Sequence, residues 1–315
     1  MKVSFIIPTY NRAKLVCKTI DSIKNSSGLK DYEIIIVDDN SSDGTIQVLK
    51  KRYSKLKFVE NKTNQGPAVC RNQGIQASKG KYLFLIDSDV FLKKDCFEKL
   101  FKAIKGYDIV FPTINFEDET RMYPSNENEE KFVKASTVFM IKKYSLKRLD
   151  ELFDPDYYMV EEDTDFFMRC KLFGLKCQYV KDAKAYHFLE SNFSLNLERK
   201  YYLTAKNHIY GWLKLSNANP EVINLFGFPG TRLILKDLIM ALFNINLLSI
   251  TSVSGRIKIK KNIWVKTRTL FGKHPKITSK NRLLLVYLFL KAIAWNVVNI
   301  KKASEKRKKI SQASV

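Results

Sequence analysis

KGKYLFLIDSDVFLKKD, residues 79–95, drives a run of core-forming residues, Tyr82 to Ile86, straight into Asp87-Ser88-Asp89, with apolar Val90-Phe91-Leu92 behind. Five consecutive apolar positions, unbroken by polar ones, describe a strand covered on both faces rather than a half-exposed one. The same pattern occurs twice upstream. VSFII, residues 3–7, is a β-branched and aromatic run ended by Pro8, and YEIIIVDDNSSDGT carries buried Ile34–Val37 into Asp38-Asp39. Between these runs, Lys14 to Lys24 sets Leu15, Cys17, Ile20 and Ile23 on one helical face. Residues 45–53 and 66–78 are again helical, and Phe58-Val59 is a short strand. Alternating strands and helices with continuous apolar strands predict an α/β fold, a mostly parallel sheet flanked by helices.

Downstream, residues 107–112 and 137–141 are further strands, separated by an acid-rich loop. FDPDYYMVEEDTDFFMRCKLFG then predicts a helix opening near its acids, and a strand near Cys177–Val180 precedes AKAYHF. This places an α/β domain over residues 1–195 and a helical, basic region over 196–315. Two segments of that second region, 233–250 and 283–300, are strongly apolar but are interrupted by Lys236-Asp237 and by Lys291. Each approaches the ~20 residues of a bilayer span, yet internal charges favour helices lying at a membrane interface over true spans or soluble core helices.

The chain of 315 residues is long enough for a sizeable core, and its formal charge of +23 is unevenly spread. From Gly255 onward there are seventeen Lys/Arg against the single acid Glu305. A tail of this kind seeks an anionic surface, membrane lipid or nucleic acid. Its apolar segments suit lipid, and it carries no zinc-finger or RNA-recognition pattern, so nucleic acid is not the expected partner. Five scattered cysteines without a CxxC pair argue against a disulfide framework or zinc site and fit a reducing cytoplasm. The apolar run of MKVSFIIPTYNR is too short for a signal peptide's core. Lysines between the two apolar segments favour the cytoplasmic face of a membrane.

In an open parallel sheet, ligands bind beyond the carboxyl ends of the strands. Three strands deliver polar groups there: Thr9-Tyr10-Asn11-Arg12, Asp38-Asp39-Asn40 and Asp87-Ser88-Asp89. Carboxylates one residue apart on extended chain point the same way, which suits a hard divalent ion bridging carboxylate and phosphate oxygens. A solvated turn is the plain alternative, since DSD alone is common. Glu161-Glu162-Asp163-Thr164-Asp165 places four acids in five residues. Such a cluster fits either an N-capped surface helix or a site for a general base. His187, one of three histidines, is a structural residue or a metal contact.

FIIPTYNR, IIIVDDNSSDGT, NQGPAVCRNQGIQASKGKYLFLIDSDV and EEDTDFFMR, in that order and spacing, resemble the family 2 glycosyltransferases with the GT-A fold, the rhamnosyltransferase-like subset most closely. The resemblance covers roughly residues 1–190. It implies that Pro8, Thr9, Tyr10, Asn11 and Arg12 line the nucleotide-sugar site, with Thr9 and Asp39 around the base. Arg71 and Ser88 would support the nucleotide, Asp87 the ribose, and Asp89 an Mg²⁺ or Mn²⁺ ion on the diphosphate, with His187 touching the metal. Glu162-Asp163 matches the family's ED motif, whose second acid is the usual base. DPDYYM departs from the FDE-type lead-in, and Glu161 adds a charge the motif does not require.

The implied activity is inverting transfer of a sugar from a UDP-, dTDP- or GDP-sugar to a hydroxyl of a glycan or lipid-linked acceptor, in cell-surface polysaccharide or glycoconjugate synthesis. The implied station is the cytoplasmic, inner face of the cell membrane. A nucleotidyltransferase would need a glycine-rich phosphate loop, and IIPTYNRAK has no glycine. The rival of another class is a basic nucleic-acid- or membrane-binding protein without transfer activity.

Overall fold

A computed structural model describes residues 3–116, 122–123, 137–188, 197–215 and 279–313. The chain forms two compact units, Met1–Phe193 and Ser194–Val315.

The first unit opens as its apolar runs dictate: β1 (Val3–Thr9), α1 (Ala13–Lys24), β2 (Tyr32–Asp38), α2 (Thr45–Arg52), β3 (Lys57–Glu60), α3 (Pro67–Ala77) and β4 (Tyr82–Ile86). Pro67 stands in the first turn of α3, where its missing N–H costs nothing. After β4 come β5 (Val90–Leu92), α4 (Cys96–Ala103), β6 (Ile109–Phe116), β7 (Met122–Tyr123), β8 (Val138–Lys142), the Glu162–Leu172 helix and β9 (Cys177–His187).

The strand order is β3-β2-β1-β4-β8-β6-β9-β5, with β7 paired to β6. From β3 to β4 all pairings are parallel, but β8 is antiparallel to both β4 and β6, and β5 is antiparallel to β9. The sheet is therefore mixed rather than mostly parallel. Hydropathy reports which strands are buried but not which way a neighbour runs.

One face of the sheet carries Phe5, Ile7, Ile34, Ile36, Phe84 and Ile86 into a core with Val16, Ile20 and Phe97. On the other face Ile35 and Val37 pack with Cys70 of α3. α3 lies close against β1. A Cβ on Gly74 would stand 2.2 Å from Ile6 Cγ2, so only glycine fits. Toward β6 and β8, Phe111, Phe139, Phe166, Phe167 and Tyr179 form one aromatic layer that seats the Glu162–Leu172 helix.

The second unit holds helices Leu197–Leu215, Ser279–Val298 and Ile300–Ala313. Ala205, Phe289 and Ala292 form a small core, Tyr210 meets Trp295 edge-on, and Asn296 Nδ2 donates to Lys206 O. The apolar 283–300 segment is thus helical and packed along one face. Tyr287, Leu290, Val297, Val298 and Ile300 remain exposed on it. Among the described residues no helix is long and apolar enough to cross a membrane. The other apolar segment, 233–250, lies outside the described residues.

Candidate active site

The strand order reverses at β1, with β2 on one side and β4 on the other, and this opens a crevice beyond the carboxyl ends of β1 and β4. Arg12, just past β1, reaches across it to Asp89, just past β4. His187 Nε2, at the end of β9, stands 3.4 Å from the other oxygen of that carboxylate. Burial raises the Asp89 carboxyl, but the hydrogen bonds and charges of His187 and Arg12 outweigh it and hold the group below the ordinary range. For its neighbour Asp87 the balance is reversed. Burial, with Asp89 adding repulsion, pushes that carboxyl above the ordinary range, although Arg71 opposes it.

The donor set at Asp89 fits a divalent ion. Two adjacent ligands of an octahedral ion at about 2.1 Å stand about 3 Å apart, close to the Asp89–His187 separation, and such ions take one or two protein ligands and fill the rest with phosphate oxygens and water. Another acidic group, Glu151, Asp154 and Asp165, also gathers within 4.8 Å. There the fully buried Arg169 bonds Asp165, Asp150 and the Glu151 carbonyl, so the charge is already answered.

Asp39 is buried at the tip of β2. Its Oδ1 accepts from Asn61 Nδ2 and Gln65 N, at 2.9 and 2.8 Å, and its Oδ2 accepts from Gly66 N at 2.8 Å. The strand tips are stitched together as well, with Asp39 N donating to Thr9 O and Asn61 N to Asp38 O. Nearby, Thr9 Oγ1 and Asp38 Oδ1 are buried polar atoms with no hydrogen-bond partner, so capacity to bind a polar group is left over at these strand tips. Pro8, Tyr10 and Asn11 are half-buried and Ser88 is buried, its carbonyl accepting from Thr19 Oγ1.

Arg71 has two carboxylate partners of its own. It is 3 % exposed, with Nη2 on Asp87 Oδ1 at 2.9 Å and Nη1 on Glu162 Oε1 at 3.0 Å. Its guanidinium also lies over the Phe153 ring. One buried cation therefore ties the β4 tip to the helix bearing the acid cluster. That helix begins at Glu162, among its acids as the sequence predicts. Its crowded acids are answered one by one. Glu162 meets Arg71, Asp165 meets Arg169, and Asp163 Oδ1 accepts from Thr164 N in the first turn. Glu162 is buried whereas Asp163 is half-buried, so Asp163 is the more open of the ED pair.

Sequence reasoning missed the Arg12–Asp89 contact, the Asn61–Gly66 turn that grips Asp39, and the backbone ahead of Glu162. The polar, glycine-ended NKTNQGP stretch was the available signal for the turn.

Comparison with known proteins bears on the same residues. A sequence model described as "Glycosyl transferase family 2" matches residues 4–166. The chain is 30% identical over 235 residues to the poly(ribitol-phosphate) beta-N-acetylglucosaminyltransferase TarP of Staphylococcus aureus (strain N315), covering 66% of this chain and 71% of that one. It is 29% identical over 206 residues to the poly(ribitol-phosphate) beta-glucosyltransferase of Bacillus spizizenii, covering 60% of this chain. The match spans 32% of that longer Bacillus protein. Among solved structures, S. aureus TarS 1–349 with UDP-GlcNAc superposes with a TM-score of 0.58 at 18% identity, covering 99% of this chain and 91% of that one. The mannosyltransferase PcManGT of Pyrobaculum calidifontis, with GDP-Man and Mn²⁺, gives 0.57 at 15%, covering 99% and 85%. At these identities the structural likeness speaks for the fold alone.

Proposed function

The chain belongs to glycosyl transferase family 2, and from that premise we propose that it is an inverting glycosyltransferase moving a sugar from a nucleoside-diphosphate sugar to a hydroxyl of a cell-surface glycan or its lipid-linked precursor. The observation that carries this reading is the Arg71 bridge, which ties the donor edge at Asp87 to the helix of Glu162 and Asp163.

In this reading Asp39, Thr9 and the Asn61–Gly66 turn hold the nucleobase, and Asp87 faces the ribose. Arg12 lies on the diphosphate side of the crevice. Asp89 and His187 would hold Mg²⁺ or Mn²⁺, which when bound neutralises charge on the departing diphosphate. Asp163 takes the acceptor hydroxyl's proton as that oxygen bonds to the anomeric carbon and the bond from that carbon to the diphosphate oxygen breaks. A single displacement inverts the configuration, and no carboxylate nucleophile is required. Glu162, held by Arg71, fixes the direction in which its neighbour Asp163 faces.

The test is a screen of UDP-, GDP- and dTDP-sugars for nucleotide release with Mn²⁺ or Mg²⁺, followed by the anomeric configuration of any product. A UDP-sugar is the expected donor, with inversion. Retention, or turnover of none of these donors with ribitol-phosphate polymer, glycan and polyprenyl-linked acceptors, would overturn the reading.

We also assign the second unit a station on the cytoplasmic face of the cell membrane. Exposed Tyr287, Leu290, Val297, Val298 and Ile300, followed by exposed Lys301, Lys302, Lys308 and Lys309, support it. Lysines near an anionic surface each contribute about 1 kcal/mol. The chain should sediment with phosphatidylglycerol vesicles, weakly with phosphatidylcholine and less as salt rises. Failure to sediment at low salt would overturn this placement.

A further inference from the structure

Just ahead of the acid pair, the backbone does something its residue types resist. Tyr158, Val160 and Glu161 have φ of 63°, 70° and 68°. Left-handed backbone is uncommon outside glycine, and for a β-branched residue such as Val160 it is an outlier. Conformations of this kind persist only where the surroundings over-determine them.

The surroundings are residues 64–72. Gly66, itself at φ 85°, has no side chain, and a Cβ there would lie 2.4 Å from Tyr158 O. The Tyr158 carbonyl is therefore seated on Gly66. Tyr158 OH donates to Asn64 Oδ1 at 2.5 Å. One turn into α3, Asn72 grips Phe153 from both sides, donating to its carbonyl at 2.7 Å and accepting from its N–H at 3.0 Å. Arg71 then holds Glu162. Four contacts from one short stretch thus fix residues 153–162 on the approach to Asp163.

The same stretch is held from behind by the nucleotide site. The Gln65 and Gly66 N–H groups that accompany this seat both donate to Asp39. A single turn is shared between Asp39 and Tyr158. We propose that Tyr158 is a positioning residue for Asp163: its hydroxyl on Asn64 and its carbonyl on Gly66 set the left-handed turn that launches the base-bearing helix, so that a nucleotide settling against Asp39 tightens the aim of Asp163. This rests on the transfer reading above.

Tyr158→Phe tests it, because the ring and the carbonyl seat are kept and only the hydroxyl goes. The kcat for transfer should fall about tenfold, the scale of one net hydrogen bond. The Kd for UDP with Mn²⁺ and the KM for donor should stay within about twofold. Asn64→Ser removes the same bond from the other side, together with a longer Asn64 Nδ2 donation to Asp39 O at 3.4 Å, and should lower kcat at least as much, with the double variant losing little more than Asn64→Ser alone. Hydrogen exchange supplies a readout independent of turnover. Amides of residues 159–165 should exchange about tenfold faster in Tyr158→Phe than in the native chain, and UDP with Mn²⁺ should slow them in the native chain. Unchanged kcat, a parallel loss of kcat and UDP affinity, or amides indifferent to UDP would each overturn the proposal. If UDP, GDP and dTDP all fail to bind the native chain, the transfer reading falls, and the exchange rates without nucleotide still decide whether Tyr158 holds the turn.

Discussion

Replacing Arg71 by Met keeps most of the side-chain volume and removes the one cation shared by Asp87 and Glu162. The side chains of Arg71 and Glu162 are 4 % and 8 % exposed, and that of Asp87 is 28 % exposed. Breaking a buried pair by deleting one partner costs about 3–5 kcal/mol, because the remaining charge is left uncompensated. The Glu162 arm meets that condition, while the Asp87 arm is partly relieved by water and adds less. For a unit of this size each kcal/mol moves Tm by about 2–4 °C, so a fall of about 6–20 °C is expected. Thermal unfolding of the nucleotide-free chain, followed by circular dichroism, measures it. Arg71→Lys should fall between, since an ammonium is a point charge and not a fork that spans two carboxylates. The decisive control is Arg71→Met/Glu162→Gln. If uncompensated charge is the cause, neutralising Glu162 recovers much of the loss. A double variant less stable than Arg71→Met alone, or Arg71→Met melting within 2 °C of the native chain (about 1 kcal/mol), would refute the reasoning.

Asp89→Ala should abolish divalent-dependent nucleotide binding and transfer while leaving the circular dichroism unchanged, and calorimetry with and without Mn²⁺ that showed the same metal dependence as the native chain would remove Asp89 from that role. Asp163→Asn should lose transfer by about 10²-fold or more, the scale of general-base removal, with UDP affinity intact; a dead Glu162→Gln beside an active Asp163→Asn would reassign the base. Asp108 accepts from Ser145 Oγ at 2.6 Å and from Lys176 N at 2.8 Å, and although burial opposes this, its carboxyl is held below its ordinary value of 3.8. A depressed acid lends stability above its unfolded pKa and loses it as pH falls through the folded one, so Asp108→Asn should be less stable at pH 7 and approach the native chain as pH falls below the ordinary carboxylate range. A gap that is constant with pH in urea titrations would show that the charge is not what stabilises.

The parts of this fold that a reader of the sequence can recover are those with a local cause. Ile34–Val37 and Leu83–Ile86 are buried on both faces, so their hydropathy is continuous, and the acids beginning at Asp38 and at Asp87 mark where the strands end. The reversed direction of β8 has no local cause, because an antiparallel core strand such as VFMIK looks like a parallel one. α4, at eight residues as long as α2, carries a readable pattern that the sequence reading leaves out, whereas the three residues of β5 carry too little periodicity. Within the site, Asp39 and Arg71 stand at the legible edge, but the partners that define them are distant in the chain: Asn61 to Gly66 for one, Glu162 for the other. The left-handed turn at Val160 runs against residue preference and could not be read locally. In the helix of residues 279–298, apolar residues surround the axis, so periodicity alone could not separate Phe289 and Ala292, which are buried, from Leu290 and Val297, which are not.

Gly74 stands one helical turn beyond Arg71 on α3, against Ile6 of the central strand. Its missing side chain works as a gauge. It sets the height of α3 above the sheet, and that height fixes where the Arg71 guanidinium arrives between two carboxylates it meets at 2.9 and 3.0 Å. One added methyl group would act like a shim under a lever, tilting the fulcrum and carrying the far end away from both acids at once. The reach of a charged residue at the heart of the site is thus calibrated by an atom the chain does not possess.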